Sequence, residues 1–223
     1  MESTIKHCVI NAGIGAWYPQ GTKRIERSLN YHGFVVDFLG WNEWPNDNFD
    51  KSCIYHMKAS AFEQAINAGY KLILWMDCSA WAIKSITPIF DIINTQGYYF
   101  QRSGYNCAQT CNDFSLNYFG INRDTAETYH DTATGVFGVN LDNPQGLEFI
   151  TRWINAEYDG VFIGSRHHDS QSTDPRFLFH RQDQSAASLI INQMQLNQHN
   201  FGEYVTYYSP QMPDSVCIAL QGM

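Results

Sequence analysis

The chain contains no apolar run of the roughly 18 residues that a membrane-spanning helix needs. Its first residues, Met1-Glu2-Ser3-Thr4-Ile5-Lys6-His7, lack the charged start and long apolar stretch of a secretory signal. The expected setting is therefore cytoplasmic, of a cell or of an infected host. Basic residues are few: 14 Lys plus Arg stand against 22 Asp plus Glu, for a net charge of -8. That balance excludes a broad electrostatic grip on nucleic acid and leaves room only for a local basic patch. Disulfide scaffolding is also missing. Cys8, Cys53, Cys78, Cys107, Cys111 and Cys217 are scattered, and two of them lie in apolar strand-like runs, so free thiols are expected. Cys107 and Cys111 are half of a possible metal site, but no second Cys or His pair stands at suitable spacing. Repeats, low-complexity tracts and linkers are absent too, and one domain over residues 1–223 is expected.

What the chain does have is apolar and aromatic material for a sizeable core. The apolar fraction is 44% and the aromatic fraction 15%, with six Trp, 13 Tyr and 14 Phe. The first half alternates strand and helix signals. Residues 8–12 read as a buried strand, followed by a loop marked by Gly13, Gly15, Pro19 and Gly21. Thr22 is a candidate cap for a helix that places Ile25 and Leu29 on one face and stops at Gly33. Residues 34–39 form a second strand, and residues 41–50 a polar, aromatic loop. A helix from about Lys58 ends at Gly69, and residues 71–76 form a continuous apolar strand of the kind buried on both faces. Pro88 suits the first turn of another helix, and residues 98–102 form a further strand.

The second half is less regular. Strands are expected at residues 135–140 and 161–164, with helices opening at Asn143-Pro144 and near Asp183. The tail from Phe201 resists assignment. Strand–helix alternation with short loops implies right-handed crossovers and a mixed, mainly parallel sheet flanked by helices, an α/β fold.

In such a sheet, ligands bind beyond the carboxyl ends of the strands. Two ends stand out. After the first strand, Asn11-Ala12-Gly13-Ile14-Gly15 has two glycines but lacks the third of the dinucleotide fingerprint, so a plain turn competes with a nucleotide loop. After the apolar strand comes Asp77-Cys78-Ser79. In extended backbone Asp77 and Ser79 point to one side, the spacing at which two oxygens share a hard cation with a diphosphate. The competing role for Asp77 is to cap the following turn. A third constellation is His180-Arg181-Gln182-Asp183-Gln184-Ser185, where a strand-like stretch at residues 177–179 runs into a helix. Here Asp183 is either the N-cap or a general base, with His180 near enough for a metal or phosphate and Arg181 able to balance phosphate charge.

The order of these segments resembles small glycosyltransferases of the GT-A type, over most of residues 5–195. The resemblance is carried by two stretches. One runs from Tyr55-His56-Met57-Lys58 through Ala65-Ile66-Asn67-Ala68-Gly69-Tyr70 to Asp77-Cys78-Ser79, at the place of the Asp-x-Asp metal motif. The other is residues 180–185, similar to a His-Arg-x-Asp-Gln-Ser signature that opens a helix. One departure stands out: Ser79 replaces the second acid of the metal motif.

The resemblance implies a GT-A-like, Rossmann-like domain. Residues 1–103 would form the nucleotide-sugar-binding half and residues 104–223 the acceptor-binding half. Ala12, Gly13, Tyr18, Arg24, Lys58, Asp77 and Arg181 would meet a UDP- or GDP-sugar donor. Asp77, with Ser79 and His180, would hold Mn²⁺ or Mg²⁺. Asp183 would deprotonate the acceptor hydroxyl with inversion, and His130, Asp131 and Thr134 would contact the acceptor.

That acceptor would be a glycan, or less expectedly hydroxymethylated DNA, for which Lys23, Arg24, Arg102, Arg123, Arg166, Arg176 and Arg181 are the available charges. The loop at Arg166-His167-His168-Asp169 is expected to be a solvated or closing loop. Two other functions compete: a phosphatase of the haloacid dehalogenase type, with Asp77 as nucleophile, and a non-catalytic sugar- or nucleotide-binding module.

Overall fold

The computed structural model describes residues 6–46, 55–163 and 172–222. In chain order the elements are β1 (His7–Ala12), α1 (Tyr18–Tyr31), β2 (Asp37–Trp41), α2 (His56–Asn67), β3 (Leu72–Met76), β4 (Ala80–Ala82), α3 (Thr87–Gln96) and β5 (Tyr98–Asn106). There follow α4 (Cys107–Thr110), α5 (Asp113–Tyr118), α6 (Arg123–Glu127), β6 (His130–Asn140), α7 (Pro144–Tyr158), α8 (Asp183–Gln193), β7 (Val205–Tyr207) and β8 (Ile218–Leu220). The central sheet has the order β2-β1-β3-β6-β5. Strands β2, β1 and β3 are mutually parallel, whereas β6 is antiparallel to both β3 and β5. Four strands therefore run one way and β6 alone runs back, which is the mixed α/β sheet that the alternation predicted. A second, small sheet has the order β4-β8-β7.

Every residue of β3 is buried, and successive side chains go to opposite faces. Ile73 and Trp75 join Phe62, Phe137, Phe149 and Trp153 in a core beneath α2, α7 and α8. Leu72, Leu74 and Met76 join Ile25, Ile89, Ile93 and Ile218 on the other face, beneath α1, α3 and the small sheet. Burial on both faces explains why the strand reads as an unbroken apolar run.

Helix ends follow local chemistry. Pro88 lies in the first turn of α3, and Gly97 closes that helix at φ 96°, a left-handed conformation natural to glycine. Asn143 caps α7 by accepting from the backbone N–H groups of Gln145 and Gly146.

Three local expectations fail. Thr22 lies inside α1, which begins at Tyr18, and its hydroxyl donates to Asn11 instead of capping. Val161 and Phe162 form a turn after α7, not a strand, because the Val161 N–H bonds back to Ala156. Leu178 and Phe179 give their N–H groups to the Gln109 carbonyl and join no sheet. The unassigned tail supplies β7 and β8 and returns to the main body, with the Gln221 N–H donating to the Ser79 carbonyl at 2.8 Å. Residues 164–171, with Arg166-His167-His168-Asp169, lie outside the described residues, as does Cys53.

Candidate functional site

Asp77 follows directly on buried β3, and its N–H extends the ladder by donating to Gly135 at 2.7 Å. The backbone then turns, with the Ala80 N–H donating to the Asp77 carbonyl at 2.7 Å. The extended geometry expected for Asp77 and Ser79 is thus replaced by a tight turn. Asn11 braces it: this buried side chain at the end of β1 donates to the Met76 carbonyl at 2.6 Å and accepts from Thr22 at 2.6 Å. Strand β1, strand β3 and helix α1 are locked together just below the turn.

The Asp77 carboxylate is held from two sides. Trp75 Nε1 donates to its Oδ1 at 2.7 Å, and Lys58 Nζ lies 3.2 Å from the same oxygen. Lys58 comes from the first turn of α2 and is buried. Its ammonium also reaches Asp183 Oδ2 at 2.9 Å and the Thr134 carbonyl at 3.2 Å. Thr134 Oγ1 donates to Asp183 Oδ2 at 2.8 Å. Two carboxylates from distant segments are therefore bridged by one ammonium and a hydroxyl.

Asp183 does not cap α8. It is the first helical residue, Gln182 is the cap, and the Asp183 side chain turns into the cleft. Gln182 holds this entry at φ 46°, ψ −111°, a conformation that non-glycine residues rarely adopt. Trp153 Nε1 fixes the helix start from below by donating to the Asp183 carbonyl at 3.0 Å.

Electrostatics follow from burial and pairing. Desolvation raises the Asp77 pKa, opposed by Lys58 and by the Trp75 hydrogen bond. For Lys58, burial works to lower the pKa, but Asp183 and Asp77 together hold it above the ordinary lysine range, so the ammonium stays charged. Two carboxylates and one ammonium sum to one negative charge. Arg181, exposed on the rim, can bring that to zero.

A cavity of about 250 Å³ opens over this trio, lined by Tyr55, Lys58, Asp77, Ser79, Thr134, Arg181, Gln182 and Asp183, with Phe201, Tyr207 and Leu220 from the tail. A second cavity of about 160 Å³ shares Tyr55, Lys58, Asp77 and Ser79 and continues to Trp17 and Tyr18, whose rings stack at 4.5 Å. The two make one cleft at the carboxyl ends of β1 and β3, polar at one end and aromatic at the other.

Of the residues singled out from sequence, Tyr18, Lys58, Asp77, Ser79, Thr134, Arg181 and Asp183 line this cleft. Others do not. His180 is fully buried, its ring between the Asn112 N–H, Ser185 and the Val161 carbonyl, which turns it away from any shared ion. Asp131 is a buried acceptor for Ser103, Thr110, Gln184 and Ser188, a structural hub in place of an acceptor contact. His130 is exposed at the start of β6, away from the cleft. Arg24 donates to the Cys78 and Gln221 carbonyls behind the turn, too far committed to meet a ligand in front of it. Ala12 is buried. Gly13 is needed for helix packing, since a Cβ there would lie 2.3 Å from Thr22 Oγ1. Lys58 lies in the cleft, yet its ammonium is engaged by the two carboxylates and Thr134, which leaves little of it for a donor diphosphate.

Sequence reasoning missed Trp17, Gln182, Phe201, Tyr207 and Leu220. The positive φ of Gln182 leaves no trace in its residue type, and the tail residues reach the cleft only through the β4-β8-β7 sheet.

Among the described residues, no group of three or more His, Cys, Asp or Glu side chains is placed to hold a metal ion. One carboxylate, Asp77, and the Ser79 hydroxyl fit a cation that arrives with a diphosphate, as Mg²⁺ commonly does, and do not fit a protein-built cage. Of the charges weighed for a DNA groove, two among the described residues are held by carboxylates. Arg123 is paired with Asp113, and Arg176 with Asp124, Glu127 and Asp174. Among the described residues no helix is long and apolar enough to cross a membrane.

The sequence matches no family model and no curated protein. Among solved structures, one described as a glycosyltransferase involved in the glycosylation of the major capsid of PBCV-1 superposes with a TM-score of 0.43 and 14% identity, covering 70% of this chain and 68% of that one. A likeness this low bears on none of the chemistry, which rests on the geometry of the cleft.

Proposed function

We propose that the protein is a glycosyltransferase that moves a sugar from a nucleotide-diphosphate donor to an acceptor hydroxyl with inversion. The observation that carries this is the meeting of Asp77 and Asp183 around Lys58 at the carboxyl ends of the parallel strands. Asp183 is the base. Its Oδ2 is held by Lys58 and Thr134, so Oδ1 is the oxygen left for a proton. The acceptor O–H gives its proton to Asp183, the freed oxygen attacks the anomeric carbon, and the bond from that carbon to the donor phosphate breaks. The nucleoside diphosphate leaves with the electron pair. Placement of the two reactants matters more here than covalent chemistry.

The aromatic end of the cleft, with Trp17 stacked on Tyr18, supports the donor's base there, and UDP- and GDP-sugars are the donors to test first. Asp77 and Ser79 are the residues that would hold Mn²⁺ or Mg²⁺, which when bound would supply charge to stabilise the departing diphosphate. Arg181 on the rim meets the remaining phosphate charge. A glycan is the preferred acceptor, supported by the pairing of Arg123 and Arg176 with carboxylates.

The test is sugar transfer and donor hydrolysis over a panel of UDP- and GDP-sugars with Mn²⁺ present, for wild type and Asp183→Asn. Turnover by the wild type, lost in the variant while donor binding persists, is the expected result. Normal turnover by Asp183→Asn removes it as the base. Phosphate release from simple phosphate esters without attack on any nucleotide sugar favours a phosphatase with Asp77 as nucleophile. Binding of a nucleotide sugar with no turnover favours a binding module.

A further inference from the structure

A hollow larger than the cleft lies elsewhere among the described residues. A hollow of about 870 Å³ lies on the other side of α1, lined by Gln20, Lys23, Arg24, Arg27, Ser28, Tyr31 and His32 of the helix side and by Trp81, Ala82 and Ile83 at β4. It shares no lining residue with the two cavities around Asp77. Its volume is within the range of small-molecule sites.

Its charge is one-sided. Lys23 and Arg27 are i, i+4 neighbours, an arrangement that disfavours the helix when both are positive. Neither has a carboxylate within ion-pairing distance among the described residues. The sole acid of α1, Glu26, does not line the hollow. Arg24 is also without a carboxylate: its guanidinium binds two backbone carbonyls, and burial lowers its pKa against the opposing pull of the Cys78 thiol. A chain of net charge -8 thus places three cations around one hollow with no anion of its own.

The hollow also has flat apolar surface. Trp81 lines it, with the Arg24 guanidinium over its ring at 4.5 Å, and so does Tyr31, 85% exposed. Cations beside aromatic rings suit a ligand that has both a negative group and an apolar face to stack.

We infer that this hollow binds an anionic sugar, its charge supplied by a phosphate or a carboxylate. Arg24 connects the hollow to the candidate active site, since the carbonyl it holds belongs to Cys78, between Asp77 and Ser79. An occupant drawing on Arg24 acts on the turn that carries Asp77. The inference does not rest on the proposed transfer reaction and survives if that reaction fails.

Titration calorimetry on the full chain tests it with glucose 1-phosphate and galacturonic acid as probes, and methyl glucoside and inorganic phosphate as controls. At least one acidic sugar binds about tenfold or more tightly than both controls, a difference of about 1.4 kcal/mol. Which of the two binds tells phosphate from carboxylate. The exposed double variant Lys23→Glu, Arg27→Glu, checked for folding by circular dichroism, weakens that binding about tenfold or more, whereas Arg181→Ala leaves it within about twofold. The inference falls if neither acidic sugar binds, if either control binds as well, if the double variant binds normally, or if Arg181→Ala abolishes binding and so places the probe in the cleft.

Discussion

Lys58 Nζ lies 2.9 Å from Asp183 Oδ2, joining residues 125 apart with both side chains almost wholly buried. This contact makes one site of the two segments that drew attention in the sequence. Its energetic meaning is asymmetric. A buried pair adds little over an apolar substitute, but removing one partner strands the other's charge at a cost of about 3–5 kcal/mol.

Lys58→Met therefore lowers stability by about 3–5 kcal/mol in urea denaturation. Adding Asp183→Asn to it recovers part of the loss, because one of the stranded charges disappears. A Lys58→Met protein within about 1 kcal/mol of wild type contradicts the buried pairing.

Trp75→Phe removes the hydrogen bond that opposes the desolvation of Asp77. The sign follows: the Asp77 pKa, already raised, rises further. If activity needs ionised Asp77, the acid limb of the pH–rate profile moves to higher pH in the variant. An unmoved or lowered limb removes Asp77 from the group of titrating residues that control the rate.

Gln182 tests the backbone. Its φ of 46° is open to glycine and hostile to β-branched side chains. Gln182→Val lowers the melting temperature more than Gln182→Gly, which keeps the backbone conformation and loses only the buried side chain. Equal effects of the two substitutions leave no role for strain at the entry to α8.

Tyr70 gives a test at alkaline pH. Burial, and then the hydrogen bond that its hydroxyl donates to Asp37 at 2.8 Å, push its pKa up to about 12. The folded state holds this proton more tightly than the unfolded chain, where tyrosine titrates near 10. The resulting stability is complete below about pH 10 and is lost as the pH rises toward 12. Tyr70→Phe flattens the fall in stability over that window. An unchanged slope points to other groups.

Much of the fold was legible because its signals are local. The apolar run of β3, buried on both faces, needs no distant partner to be recognised. Pro88 and Asn143-Pro144 mark helix starts by chemistry confined to a few residues. The short elements α4, α5 and α6, and the β4-β8-β7 sheet, were not legible, since three-residue strands carry too little pattern to stand out. The same limit produced the errors at residues 161–163 and 177–179, where short apolar runs imitate strands although only Val161 and Phe162 among them are buried.

Within the site, the sequence by itself determined which residue types were available: an acid at the end of a buried strand, an acid at the head of a helix, and a lysine upstream. Those placements depend on nearest-neighbour pattern. Only the tertiary structure decided their roles. It turned His180 and Asp131 into core acceptors and donors, because the nearest polar groups to each are internal. It set Arg24 against backbone carbonyls behind the Asp77 turn. It also drew the Asp183 side chain away from the cap position, because Lys58 and Thr134, held on other elements, meet its carboxylate. A side chain's choice between capping its own helix and joining a distant charge is settled by whether that charge arrives, and sequence spacing holds no record of its arrival.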